Sequence, residues 1–259
     1  MQQERQNRHS DAEDDNMIFG VRPVMEAIDA GREVERIFLQ RDINNPLARE
    51  LRNMLTEQNI PFSLVPVEKL NRLTRKNHQG VVCFLGFVAY HKVENIVPSL
   101  FEKSEFPLLL LLDRVTDVRN FGAICRTAEC TGVDAVIVPE KGGAMVNGDA
   151  VKASAGALNR IKICREYNLK NTIQYLKDSG FTVAGCTEKA PENCFNVNLN
   201  KPLCLIMGSE EDGISPEYLK RCDVLIKVPI SGKTASLNVS VAAGMLLYEV
   251  TRQRLSDEN

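Results

Sequence analysis

Apolar and polar positions follow two rhythms along this chain. Continuous apolar runs occur at "VERIFLQ" (34–40), "GVVCFLGFV" (80–88), "PLLLLLD" (107–113), "VDAVIVP" (133–139), "RIKIC" (160–164), "FTVAGCT" (181–187), "PLCLIMG" (202–208) and "DVLIKVPI" (223–230). Their length and branched side chains predict strands. Between them the apolar residues fall at helical spacing. In "PLARELRNMLTEQN" (46–59), Leu47, Leu51, Met54 and Leu55 share one face behind Pro46, and "GVRPVMEAIDAG" (20–31) predicts a short helix closed by Gly31. From Asn120 to Gly132, the residues Phe121, Ile124, Cys125 and Ala128 form an i, i+3, i+4, i+7 stripe, with Asn120 placed to cap the helix. Helices are also predicted over 148–158, 171–180 and 215–222. The last segment, from about Leu237, differs. Val239, Val241, Ala242, Met245, Leu246, Leu247, Tyr248 and Val250 wrap more than one stripe, so this helix is either central to a core or covered by a partner subunit.

This order divides the chain. Residues 1–16 read as a disordered polar tail, 17–90 as a small α/β module, 91–105 as a connection and 106–259 as an alternation of strand and helix. Continuous apolar strands alternating with helices predict a mostly parallel sheet covered on both faces. Ligands of such sheets sit beyond the C-terminal strand ends, which singles out the loops after Leu112, Met207 and Val228.

Composition narrows the class without naming the chemistry. A hydrophobic fraction of 44% and a charged fraction of 25% describe an ordinary globular protein, and no apolar run approaches a membrane span. The N-terminus shows neither the apolar stretch nor the cleavage site of a signal peptide. Eight scattered cysteines form no C-x-x-C pair and only three histidines are present, so the expectation is free thiols, no metal and a cytoplasmic protein. Net charge is −2, but residues 17–92 hold eleven lysines and arginines against eight acids, and Arg72, Arg75 and Lys76 cluster in "NRLTRKNHQG". That cluster and Arg22 are candidates for RNA phosphate contact; the alternative is a solvated face.

Three loops carry candidate chemistry. In "DRVTDVRNFGAICRTAECTG", Arg126 falls well off the apolar stripe of its helix, beside the expected cleft, where it is either merely exposed or placed to hold phosphate. In "IMGSEEDGIS", Gly208 and Gly213 flank an acidic turn containing Glu210, and Ser215-Pro216 starts a helix; the alternative is a solvated turn. In "KVPISGKTASLN", Gly232-Lys233-Thr234 imitates the end of a nucleotide phosphate loop. Such a loop needs a glycine five residues earlier, where Lys227 stands inside the strand, and Pro229 offers no N–H to phosphate. Nucleotide hydrolysis is therefore disfavoured.

Taken in order, Asp113–Glu129, Met207–Ser215 and Val228–Ala242 resemble the three motifs of the SpoU/TrmH branch of the SPOUT methyltransferases. "GVRPVMEAI" (20–28) and "HQGVV" (78–82) resemble that family's ribosomal-protein-like substrate-binding domain. The likeness spans about Phe19 to Arg254 and is closest to 23S rRNA guanosine 2′-O-methyltransferases of the RlmB type. It implies an α/β fold with a trefoil-knotted SPOUT domain, a homodimer, S-adenosyl-L-methionine as cofactor and RNA as partner. On the matching positions it implies cofactor contact by Gly208, Val228, Ile230, Leu237 and Asn238, and a catalytic set of Asn120, Arg126, Glu210, Ser236 and Asn238. The family assigns activation to the arginine. A guanidinium gives up no proton, so Arg126 is better read as binding phosphate and stabilising the developing alkoxide, with Glu210 or a water taking the proton. The chain has Asp117-Val118 where the family has Asp-Pro, which bears on the stiffness of that turn. A tRNA ribose methyltransferase shares all three motifs, and a non-catalytic RNA-binding protein of the same fold is the rival from another class.

Overall fold

The computed structural model describes residues 16–144, 146–234 and 236–256; the polar tail expected over 1–16 lies, but for Asn16, outside them. The chain forms two compact units, residues 1–87 and 88–259.

The first unit has a four-stranded sheet of β1 (Met17–Phe19), β2 (Val34–Gln40), β3 (Phe62–Val65) and β4 (Val81–Leu85), in the order β1-β4-β2-β3. β4 runs antiparallel to β1 and β2, and β3 runs parallel to β2. Helices α1 (Val21–Asp29) and α2 (Pro46–Glu57) pack Val24, Ile28, Leu51 and Leu55 against Ile37, Leu39, Val81 and Cys83. α2 starts as its sequence demands: the Asn45 side chain accepts from the Ala48 N–H at 2.7 Å, and Pro46 occupies the first helical position. A short α3 (Val67–Leu73) covers the other face through Leu70, packed with Phe38, Val65 and Val82. Neither β3 nor α3 declares itself in the apolar pattern, because each is short and half exposed.

The second unit is built on an eight-stranded sheet in which each pairing is parallel. Its strands are β5 (Tyr90–His91), β6 (Leu108–Leu112), β7 (Ala135–Pro139), β8 (Lys162–Glu166), β9 (Thr182–Cys186), β10 (Glu192–Asn193), β11 (Leu203–Met207) and β12 (Val224–Lys227), ordered β10-β12-β9-β11-β6-β7-β8-β5. The pure-leucine β6 and its neighbour β11 are buried throughout, as central parallel strands must be. From β6 the chain winds outward through β7 and β8, then returns on the far side of β11. The β6–β11 seam is thus a topological switch point.

Helices α4 (Val93–Lys103), α5 (Val118–Cys130), α6 (Gly148–Ala153), α7 (Leu169–Asp178), α8 (Pro216–Leu219) and α9 (Val239–Ser256) complete the unit. Residues 91–105, expected as a connection, hold the end of β5 and all of α4, whose Val93, Ile96, Val97 and Leu100 join the core. β12 stops at Lys227, not Ile230, just before the donor-less Pro229. Helix α5 packs closely on α6. A Cβ on Gly122 would stand 2.6 Å from the Ala153 Cβ, so only glycine permits that approach. No helix among the described residues is long and apolar enough to cross a membrane.

Candidate active site

Strand register brings three distant segments to one edge. Leu112 pairs with Met207, and Cys186 with both Met207 and Ile226, so β6, β9, β11 and β12 end level. The loops that leave them form the site.

The 208–215 loop is held shut by its own glycines and by β6. Gly208 has no room for a side chain: a Cβ would lie 2.0 Å from the Gly213 carbonyl carbon. Ser209 and Gly213 exchange both backbone hydrogen bonds, at 3.2 and 3.0 Å, with Gly213 at a φ of 68°. Asp113, 2% exposed, then anchors the loop: its Oδ2 accepts from the Ser215 N–H at 2.6 Å and the Ser215 hydroxyl at 2.7 Å. Arg114 bonds to the other Asp113 oxygen and donates to Asp212 at 3.1 Å and the Gly213 carbonyl at 3.2 Å. Ser215 therefore precedes α8 with its hydroxyl turned to Asp113, not capping the helix. Asp113 and Arg114 were not singled out in sequence. The position of a charged pair directly after a buried leucine strand is the signal that points to them.

Asn120 does not cap α5. The helix begins at Val118, and Asp117 caps it by accepting from the Asn120 N–H at 2.7 Å. This frees the Asn120 side chain, which donates to Glu210 Oε1 at 2.9 Å. Asn238 does cap α9, its Oδ1 accepting from Ser240 N at 2.9 Å and Ser240 Oγ at 2.6 Å. Its Nδ2 faces the other way and donates to Glu210 Oε1 at 2.7 Å and Asn120 Oδ1 at 3.1 Å. One carboxylate oxygen is thus held by two amides from two helix N-termini, leaving Oε2 unbonded among the described residues. The valine at position 118 fills the first helical position, and Asp117 sets the turn without a proline.

A cleft of about 430 Å3 opens beside this cluster, within the size range of small-ligand sites. Gly208, Glu210, Val228, Ile230, Ser236 and Leu237 line it, together with Cys186, Thr187, Glu188 and Met207. The loop after β9 was not among the three inspected in sequence, so Thr187 and Glu188 were missed. Apolar Val228, Ile230 and Leu237 line it alongside polar Thr187, Glu188 and Ser236, a mixed lining that suits a small ligand with both apolar and polar parts. Neither Lys233 nor Thr234 is among the lining residues. A smaller cleft of about 240 Å3 lies across the acidic loop, lined by Arg114, Asp117, Asn120 and Glu210.

Arg126 is exposed on α5 and lines neither cleft, and it makes no hydrogen bond or ion pair among the described residues. Arg22, Arg72, Arg75 and Lys76 are exposed in the first unit, with Lys76 Nζ 5.6 Å above the Phe19 ring. No group of three or more His, Cys, Asp or Glu side chains able to hold a metal occurs among the described residues.

Comparison with known proteins finds similar chains. Residues 107–248 match the SpoU rRNA methylase family, and residues 17–90 match a domain described as RNA 2′-O ribose methyltransferase substrate binding. A Bacillus subtilis protein named for the TrmH family of tRNA/rRNA methyltransferases, YacO, is 34% identical over 92% of this chain and 95% of its own. An AdoMet-bound rRNA methyltransferase from Sinorhizobium meliloti superposes with a TM-score of 0.58 at 25% identity, covering 91% of this chain and 86% of its own. A TrmH/SpoU tRNA-modifying enzyme of A. aeolicus, with a TM-score of 0.55 at 30% identity, covers 64% of this chain and 85% of its own.

Proposed function

We propose that this chain, which belongs to the SpoU rRNA methylase family and is an S-adenosylmethionine-dependent RNA 2′-O-methyltransferase, acts on ribosomal RNA, at a guanosine of 23S rRNA. The meeting of Asn120, Glu210 and Asn238 beside the 430 Å3 cleft carries the assignment of the catalytic site. Support for ribosomal over transfer RNA comes from coverage: the rRNA enzyme accounts for 91% of this chain, whereas the tRNA-modifying enzyme leaves over a third without a counterpart.

The residues of the larger cleft fit the cofactor. Gly208, Val228, Ile230 and Leu237 would hold it, and Ser236 lines the same cleft; Asn238, expected at the cofactor, is not among the lining residues and bonds instead to Glu210 and Asn120. Bound there, S-adenosylmethionine supplies an already activated methyl group. The protein must then position a ribose 2′-hydroxyl and receive its proton. Asn120 and Asn238 fix Glu210 through Oε1, so Oε2 is the acceptor presented to that hydroxyl.

Arg126 requires a second chain. Helix α9 buries Val239, Ala243, Leu246, Leu247 and Val250 but exposes Val241 (47%), Met245 (46%), Tyr248 (67%) and Leu255 (57%). These recur at spacings of four, three and seven along one stripe, an apolar face suited to a second copy. In the homodimer Arg126 of one subunit serves the other's site, binding the phosphate beside the target ribose and stabilising the alkoxide. The setting is the cytoplasm, in keeping with eight free thiols.

The test is a ribose-methylation map of RNA from a strain lacking the gene. Loss of one 2′-O-methylguanosine from 23S rRNA is expected. An unchanged rRNA map beside a lost tRNA methyl group would transfer the assignment to tRNA.

A further inference from the structure

One dipeptide, Asp113-Arg114, holds both ends of the loop that carries Glu210. On the outgoing side the Asp113 N–H donates to the Met207 carbonyl at 2.8 Å. On the returning side Asp113 accepts from Ser215, and the Arg114 guanidinium spans Asp212 Oδ2 at 3.1 Å and the Gly213 carbonyl at 3.2 Å. Glu210 and Glu211 stand at the tip between these limbs, where the Asp212 N–H closes the turn by donating to Ser209 Oγ at 3.1 Å.

Arg114 reaches the loop through an uncommon backbone. Its φ of 57° is left-handed, a conformation that a β-carbon disfavours. Successive side chains of a strand point to opposite faces. Leaving the strand conformation lets the guanidinium fold back on its neighbour, with Nε 3.2 Å from Asp113 Oδ1, while its other two nitrogens reach across to the loop. Stability does not account for the arrangement. The Arg114 and Asp212 side chains are 39% and 69% exposed, and ion pairs so open to water stabilise little. A strained backbone kept for contacts of that kind points to a geometric role in the site.

We infer that Arg114 is a positioning residue for methyl transfer: its grip on Asp113, Asp212 and Gly213 fixes the returning limb of the 208–215 loop and so the main chain of Glu210, whose carboxylate Asn120 and Asn238 hold. The inference rests on the reading of Glu210 as the proton acceptor. Arg114 also lines the smaller cleft, where Asp117, Glu210, Glu211 and Asp212 are the acids. A competing role, offsetting their charge for incoming RNA, makes a different forecast: it would raise KM for RNA and leave kcat unchanged.

The experiment measures methyl transfer by the full-length protein carrying Arg114→Asn, Arg114→Lys or Glu210→Ala, with the RNA that the wild type methylates. Asparagine tolerates left-handed backbone but is too short to span the loop, and lysine keeps the charge without the planar fork. Arg114→Asn should lower kcat at least about tenfold, since small misplacements of a reacting group are costly. KM for RNA and affinity for S-adenosylhomocysteine should stay within about threefold of wild type, and kcat of Arg114→Lys within about threefold of the asparagine variant. Wild-type kcat in either Arg114 variant, or a raised KM for RNA with kcat unchanged, overturns the positioning role alone when Glu210→Ala is inactive. Loss of S-adenosylhomocysteine affinity together with kcat overturns it too, by assigning Arg114 to the cofactor cleft. Wild-type turnover in Glu210→Ala overturns the role together with the reading beneath it.

Discussion

Asn238 Nδ2 meets Asn120 Oδ1 at 3.1 Å across 118 residues of chain, and both amides donate to the same oxygen of Glu210. Replacing Asn238 by alanine removes the α9 cap and one of the two donors holding the carboxylate. A stability loss of about 1 kcal/mol is expected from the cap, and methyl transfer should fall about a hundredfold, on the scale of a lost preorganised donor. Thermal unfolding and single-turnover kinetics separate the two. Wild-type turnover in this variant would remove Asn238 from the catalytic set.

Gly208→Ala should weaken cofactor binding while leaving the fold. The added Cβ would fall 2.0 Å from the Gly213 carbonyl carbon, and only opening of the 208–215 loop relieves it. Calorimetry with S-adenosylhomocysteine should show at least a tenfold weaker Kd. Binding equal to wild type would mean that the loop does not shape the cofactor site.

The buried thiols give the protein an alkaline limit. Burial pushes Cys83 and Cys164 up from an ordinary 9.0 to about 12. Below pH 9 the thiols are protonated whether the chain is folded or not, and their contribution is fully present. Above it the unfolded chain loses protons that the folded chain keeps, so stability falls until the folded thiols ionise near 12. Each contributes a slope of up to about 1.4 kcal/mol per pH unit in that window. Denaturant melts at pH 7, 9 and 10.5 should show the decline, and the Cys83→Ala/Cys164→Ala variant should reduce it. An equal decline in that variant would assign the effect elsewhere.

Much of this fold is legible in the sequence, and the exceptions have physical causes. β6 and β11 announce themselves because a strand buried on both faces is apolar at each position. Glu210 and Asn238 were found through motifs, and the structure brings them together because β6, β9, β11 and β12 end level. The role of Asn120 was half legible. Two side chains three residues apart, Asp117 and Asn120, can cap one helix, and only the observed start at Val118 shows which remains free. The anchor Asp113 is invisible to periodicity, since its importance lies in a partner 102 residues away. Arg126 was singled out in the sequence, but its expected place beside the cleft is not seen: it lines neither cleft and makes no hydrogen bond or ion pair among the described residues.

The proposal that Arg126 acts across subunits makes a quantitative forecast. Arg126→Ala and Asn238→Ala homodimers should each be nearly inactive. An equal mixture, re-associated, should recover about a quarter of wild-type activity, because half the dimers are mixed and each of those holds one intact site. No recovery, with mixed dimers verified by mass spectrometry, would place Arg126 in the site of its own chain.

The most direct measurement is product analysis with purified protein. Ribosomal RNA from the deletion strain, incubated with methyl-labelled S-adenosylmethionine, is digested to nucleosides and resolved by mass spectrometry. One labelled 2′-O-methylguanosine from 23S rRNA, absent with Glu210→Ala, is the expected result. Label on a base, or no transfer to rRNA beside efficient transfer to tRNA, would contradict it.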